Sequence, residues 1–259
     1  MKKTALITGA SSGIGKELAR LFAIDGHHLV LVARRIDVLN ELKTEFEKAY
    51  GIKVLTLGAD LTQGDSPAEI FSETEKQGIK IDFLVNNAGF GGHGKFHERS
   101  LADDMAMIDL NVKTLSALTH LYLQGMLERK SGKILNVAST AGFLPGPLQA
   151  TYYATKAFVV SFSQAVAEEI AGSGVTVTAL CPGPVATEFF DTANMNGSRL
   201  LKMQKAASPL HTARAGYRGM QKGRLVSFDD GLMKFSLNWI VPFMPRKLVL
   251  IVSRKTMEK

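Results

Sequence analysis

Cysteine is almost absent from this chain: one thiol, Cys181, in 259 residues. A lone cysteine excludes an internal disulfide framework and agrees with a reducing cytosol. Together with six scattered histidines that lack ligand spacing, it leaves no basis for a metal site. Long apolar runs are missing as well. The apolar stretch between residues 231 and 252 is broken by Lys234, Pro242, Pro245, Arg246 and Lys247, short of the roughly 20 residues a membrane span needs. The lysine-led opening, Met1 to Ile7, turns into Thr8-Gly9 before it could form a secretory apolar core, and no cleavage site follows. It reads as a first strand, and a cytoplasmic location is expected. Repeats, low-complexity segments and Pro/Ser-rich linkers are lacking too, so residues 1–259 are expected to form one domain.

What is present is an ordinary globular composition, 46% hydrophobic and 21% charged, in a chain long enough for a large core. Leu6-Ile7, Leu29 to Val32, Val54 to Leu57, Phe83 to Val85, Ile134 to Val137 and Val175 to Leu180 read as buried strands. Arg224 to Phe228 is a weaker seventh candidate. Leu18, Leu21 and Phe22, then Leu39, Leu42 and Phe46, recur at helical spacing between them. Near-continuous apolar strands alternating with helices predict an α/β fold: a doubly wound parallel sheet of about seven strands with helices on both faces.

Three sequence features carry chemistry. Gly9, Gly13 and Gly15 fall between the first strand and the first helix, where small residues let main-chain N–H groups approach a pyrophosphate. After the second strand, where NAD-binding folds place an acidic residue for the ribose 2′-hydroxyl, stands Ala33 followed by Arg34 and Arg35. An arginine fork suits a 2′-phosphate in charge and geometry, which points to NADP(H), with Arg34 the preferred contact. The third feature is Ser139 at a strand end with Tyr152 and Lys156 on the following helix. Residues four apart share a helix face, so a lysine ammonium can lower the tyrosine pKa and make the phenol a usable acid and base. A serine hydroxyl facing the pair can polarise a carbonyl oxygen.

Ser139 with Tyr152-x-x-x-Lys156, Thr8-Gly9-Ala10-Ser11-Ser12-Gly13-Ile14-Gly15, Asn86-Asn87-Ala88-Gly89 and Pro182-Gly183-Pro184-Val185-Ala186-Thr187 together resemble the signatures of the short-chain dehydrogenase/reductase family, in family order. The resemblance implies an oxidoreductase moving hydride between a nicotinamide and a carbonyl or secondary alcohol. It assigns Ser139, Tyr152 and Lys156 to catalysis, with Asn111 completing the set through a bound water and Lys156 also gripping the nicotinamide ribose. It assigns Ser11, Ser12 and Ile14, with the loop glycines, to the cofactor. Asp60 and Leu61 meet the adenine, Asn87, Ala88 and Gly89 lie against the cofactor, and Pro182, Gly183, Val185 and Thr187 lie against the nicotinamide carboxamide. A substrate lid is implied over about 188–222.

Ala141 to Pro145 with Phe189 and Phe190 suggest a lipophilic substrate pocket. His93 and His97 are read as exposed loop residues, and Tyr153 as a possible pocket wall. Charge is uneven: from Arg199 onward there are 13 Lys/Arg against 3 Asp/Glu. No nucleic-acid motif accompanies it, so nucleic acid is not expected. The apolar and basic segment of about 231–259 replaces the family's usual ending. It could cover the pocket, form an oligomer contact or lie on an anionic membrane; the first two are favoured. The partners expected are a small carbonyl or alcohol substrate and a second copy of the chain, a dimer being favoured. A membrane-surface acyl-lipid or 3-ketoacyl reductase and a non-catalytic dinucleotide-binding regulator stay open as alternatives.

Overall fold

The computed structural model describes residues 2–193, 195, 199 and 206–258. The strands are β1 (Thr4–Thr8), β2 (His28–Ala33), β3 (Val54–Gly58), β4 (Phe83–Asn86), β5 (Gly132–Val137), β6 (Val175–Cys181) and β7 (Val226–Phe228). They form one parallel seven-stranded sheet in the order β3-β2-β1-β4-β5-β6-β7. The main helices are α1 (Gly13–Ile24), α2 (Ile36–Tyr50), α3 (Ser66–Lys76), α4 (Leu101–Ile108), α5 (Leu115–Glu128) and α6 (Ala150–Glu169). After β6 come α7 (Phe189–Thr192), α8 (Pro209–Gln221), α9 (Gly231–Phe235) and α10 (Arg246–Met257).

Strand side chains alternate between two cores because successive Cβ atoms point to opposite faces. Ile7, Leu29 and Leu31 pack with Leu18 and Phe22 of α1, Leu39 and Phe46 of α2, and Ala213 and Met220 of α8. Leu6, Val30, Leu84 and Ile134 pack on the other face with Ile70 of α3 and Leu118, Tyr122 and Met126 of α5. This is the doubly wound arrangement expected. The order reverses between β1 and β4, and a cleft opens beyond the carboxyl ends of those strands.

Two local features differ from a plain reading of the sequence. A π-helical turn, Asp109–Thr114, joins α4 to α5 and contains the buried Asn111. Extra residues in such a turn re-aim a side chain that a regular helix would leave in its own row. The expected lid also divides. Its residues 194, 196–198 and 200–205 lie outside the described residues, whereas α8 packs into the core through Ala213 and Met220.

A buried polar ladder crosses the sheet under the site. The Asn86 amide donates to Thr119 Oγ1 at 3.0 Å and to Asn136 Oδ1 at 2.9 Å, and the Asn136 amide donates to Ser163 Oγ at 3.0 Å. Low surrounding polarity makes an orphaned donor here costly. Asn136→Leu is expected to lower unfolding free energy by about 3 kcal/mol in urea titration.

Candidate active site

The glycine loop is shaped by backbone geometry. Gly9 and Gly13 adopt φ of +65° and +55°, the left-handed region that disfavours side chains. Thr8 ties the loop to the end of β4: its Oγ1 accepts from the N–H groups of Asn87 and Ala88, both at 3.0 Å, and the Asn87 side-chain amide donates to Thr8 O at 2.9 Å and Gly9 O at 3.2 Å. Asn86 points the other way, into the ladder, so the two asparagines divide support of the sheet from support of the loop.

Above the loop lies a cleft of about 670 Å³. Every residue expected to hold the dinucleotide lines it except Gly15, and so do Ser139, Tyr152 and Lys156. Gly15 lies behind the wall, where a Cβ would come within 2.3 Å of Gly9 O. Arg34 and Arg35 are exposed at one end. The Arg35 guanidinium donates to Glu188 Oε1 and Oε2 at 3.2 and 3.0 Å and to Ser11 Oγ at 3.2 and 3.3 Å, bridging the glycine loop and the chain after β6. Arg34 sits near Asp60, whose carboxyl is held below its usual range first by the Thr62 N–H and then by the Thr62 hydroxyl. Asp60 is therefore both a turn-forming group and part of the cleft wall.

At the centre of the cleft, Ser139 extends from the end of β5 and Tyr152 and Lys156 face it from α6. Tyr152 and Lys156 are 9% and 5% exposed, so the pair sits in a largely dry environment. The expected lowering of the tyrosine by the lysine is not what the geometry gives. Lys156 Nζ donates to Val137 O at 2.8 Å and lies 5.9 Å from the Tyr152 ring centroid. Burial raises the Tyr152 phenol above its ordinary value, and the hydrogen bond with Ser139 partly offsets the rise. Helical spacing brings the two residues together, but the strand carbonyl takes the ammonium.

Burial lowers Lys156 to about 8, from a usual value near 10.5. Between those values the unfolded chain binds the proton that the folded chain releases, so stability rises with pH across that interval. Tyr122 and Tyr153, raised to about 12 by burial, oppose this above the ordinary phenol value near 10. Lys156→Met is expected to flatten the rise between about pH 8 and 10 in denaturation measured at several pH values; Lys133, also lowered by burial, leaves a residual slope.

Asn111 does not line the cleft. Its amide donates to Phe90 O at 3.0 Å and Thr155 Oγ1 at 3.1 Å, and its Oδ1 accepts from Phe90 N at 3.2 Å. The same Oδ1 would stand 2.9 Å, and Lys156 Nζ 3.5 Å, from a Cβ on Gly89. Asn111 thus holds the chain after β4 against α6, directly beneath the lysine.

The other end of the cleft is apolar. Ala141, Leu144, Phe189 and Phe190 line it, as the sequence suggests, whereas Phe143 turns into the core against Phe228. Tyr153 is a buried wall residue. The C-terminal segment supplies more of the wall than any one residue type announces: Met233, Leu237, Val241, Val249, Ser253 and Met257 all face the cleft. The signal in sequence is the i, i+4, i+8 recurrence of Val249, Ser253 and Met257, which one serine disguises. His93, expected to be merely exposed, is half-buried and its Nε2 bonds Met257 O at 2.7 Å, so that nitrogen carries the proton and clips α10 to the loop after β4. His97 remains on the surface beside Glu98.

Similarity to known proteins extends over most of the chain. The chain is 36% identical over 200 residues to a 3-oxoacyl-[acyl-carrier-protein] reductase of Synechocystis sp., covering 77% of this chain and 80% of that protein. It is 38% identical over 193 residues to the NADP-dependent 3-hydroxy acid dehydrogenase YdfG of Salmonella typhi, covering 74% and 76%. A short-chain dehydrogenase from Sphingobium yanoikuyae, solved in complex with NADPH, superposes with a TM-score of 0.82 at 29% identity, covering 94% of this chain and 96% of that one. The family description "short chain dehydrogenase" matches residues 3–197. With that match over most of the chain, and the seven-stranded fold beneath it, the protein belongs to the short-chain dehydrogenase family.

Proposed function

We propose that this chain is an NADP(H)-dependent oxidoreductase for a lipophilic ketone or secondary alcohol. The observation that carries the reading is a single cleft with the Ser139 and Tyr152 hydroxyls at its centre, a glycine cradle and arginine pair at one end, and an apolar chamber at the other. NADPH fits the first end: the loop glycines leave room where side chains would stand, and Ala33 stands where a carboxylate would repel a 2′-phosphate, followed directly by two arginines. Gly9, Ser11, Ser12, Gly13 and Ile14 would hold the pyrophosphate, Arg34 and Arg35 the 2′-phosphate, and Asp60 and Leu61 the adenine. Asn87 to Gly89, with Pro182, Gly183, Val185 and Thr187, would border the nicotinamide half. The Arg35–Glu188 pair is exposed, with side chains 48% and 60% accessible, so it is weak enough for a phosphate to displace.

When bound, NADPH supplies hydride. The remaining chemistry belongs to this chain. Tyr152 donates the proton to the substrate oxygen, and Ser139 donates a hydrogen bond to the same oxygen as charge develops there. A phenol raised by burial keeps its proton at neutral pH, which suits donation in the reductive direction. Lys156, whose Nζ donates to Val137 O, would grip the nicotinamide ribose, and Asn111 fixes the backbone around it.

Thermal stabilisation by NADPH and NADH tests the cofactor end. NADPH is expected to stabilise selectively, and Arg34→Ala to weaken NADPH binding by about ten- to a hundredfold while NADH is little affected. Equal stabilisation by both nucleotides would overturn the arginine assignment. A narrower reading, a 3-oxoacyl reductase, is favoured by the Synechocystis relative and by an apolar chamber that suits an acyl chain. NADPH oxidation with a 3-oxoacyl thioester, set against a bulky ketone, separates the two. A homodimer contact on α6 is supported by Phe158, 40% exposed and stacked on Phe162; native mass measurement tests it.

A further inference from the structure

Residues 231–257 contain five cations, Lys234, Arg246, Lys247, Arg254 and Lys255, and no carboxylate. The segment has two sides. Leu237, Val249, Ser253 and Met257 are buried toward the cleft. Beside that stripe on α10, Leu248, Ile251 and Val252 recur at i, i+3, i+4 and are 45%, 52% and 48% exposed. Leu250, also exposed, stands between Lys247 and Arg254 on the opposite flank. Upstream, Leu232, Phe235, Trp239, Ile240 and Phe243 are 46–80% exposed. Soluble monomers rarely leave such a concentration of large apolar side chains in water without a partner for it.

Charge selects the partner. A second copy packed through a two-fold would set Lys234, Arg246, Lys247 and Lys255 against the same four cations, while Glu258 pairs with Arg254 at 3.5 Å. An anionic lipid surface matches both properties, since acyl chains take the apolar tips and headgroups take the ammonium and guanidinium groups. Aromatic side chains such as Trp239 favour that boundary. No helix among the described residues is long and apolar enough to cross a membrane, so any contact through this segment is peripheral. The same segment also builds the cleft mouth: Val252 both lines the cleft and is half exposed, and Met233, Val241 and Met244 line it from the upstream part. We propose that the outer face of residues 232–255 docks on an anionic lipid surface, with the apolar end of the cleft opening toward the bilayer.

Trp239 is the only tryptophan, so its emission reports this face directly in the full chain. With vesicles of phosphatidylcholine containing 30 mol% phosphatidylglycerol, emission is expected to shift to the blue and to be quenched by brominated acyl chains. Pure phosphatidylcholine should give much weaker partitioning. Arg246→Gln with Lys247→Gln should reduce partitioning about thirtyfold, at roughly fivefold per cation. Phe243→Ser with Leu248→Ser should abolish the shift while the melting temperature holds, because both side chains are exposed and neither lines the cleft. Emission unchanged at saturating anionic vesicles would overturn the proposal. So would a blue shift that appears without lipid as the chain dimerises, which would make a second copy the occupant. A response to polyglutamate but not to vesicles would likewise overturn it in favour of an acidic protein. None of these readouts depends on turnover, so they stand apart from the oxidoreductase reading.

Discussion

Tyr152→Phe is expected to reduce kcat by about a thousandfold while leaving NADPH-dependent thermal stabilisation intact. The substitution removes only the hydroxyl. The ring keeps its packing against Phe189, at 5.3 Å between centroids, and against Tyr153, at 6.2 Å. The loss therefore falls on proton donation rather than on the fold. Ser139 retains its own anchor, since its Oγ accepts the Ala141 N–H at 3.1 Å, and remains placed to polarise a carbonyl. Ser139→Ala should be damaging by about a hundredfold, because a positioned donor to the developing oxyanion is lost while the acid remains. Steady-state NADPH oxidation with a reducible ketone measures both. Unchanged turnover in the phenylalanine variant would remove Tyr152 from the proton path.

The second large effect concerns a residue that does not line the cleft. Gly15→Ala is expected to destabilise the chain by about 3 kcal/mol and to weaken nucleotide binding severely. An added Cβ would stand 2.3 Å from Gly9 O and 2.5 Å from Asn87 Nδ2. Neither neighbour is a flexible tip. Gly9 O is backbone, and Asn87 Nδ2 is committed to Thr8 O and Gly9 O. Relief requires the loop to move off the end of β4, and that loop is the proposed phosphate cradle. Gly64→Ala is the control, since a Cβ there meets nothing within 4 Å. Denaturation of both variants, with and without NADPH, distinguishes a shifted cradle from the ordinary effect of replacing glycine.

Much of this was legible because local chemistry repeats. Apolar strands with glycine at their ends mark a parallel sheet: β2 begins one residue before its apolar run and ends one after it, while β7 is two residues shorter than its run. Tyr152 and Lys156 could be paired from spacing alone, since four residues on a helix always bring side chains to one face. What the lysine then does with its charge could not be read the same way. Its acceptor is the carbonyl of Val137, on another element, and burial sets its proton affinity.

Long-range partners were equally hidden. Arg35 meets Glu188 across 153 residues of chain, Asn86 meets Asn136 across 50, and His93 meets Met257 across 164. No periodicity encodes such pairs. The role of Asn111 depends on a π-helical turn that its own sequence does not advertise. The C-terminal segment was visibly apolar and basic, but its division into a buried stripe and an exposed one follows from where α10 docks. By itself, then, the sequence determined the sheet, the glycine loop, the pairing of Tyr152 with Lys156 on one helix face and the arginine pair after β2, because each is a property of neighbouring residues. The tertiary structure alone decided which groups are dry, which polar atoms are already engaged and which apolar side chains are left facing outward. Those depend on packing between elements far apart in the chain.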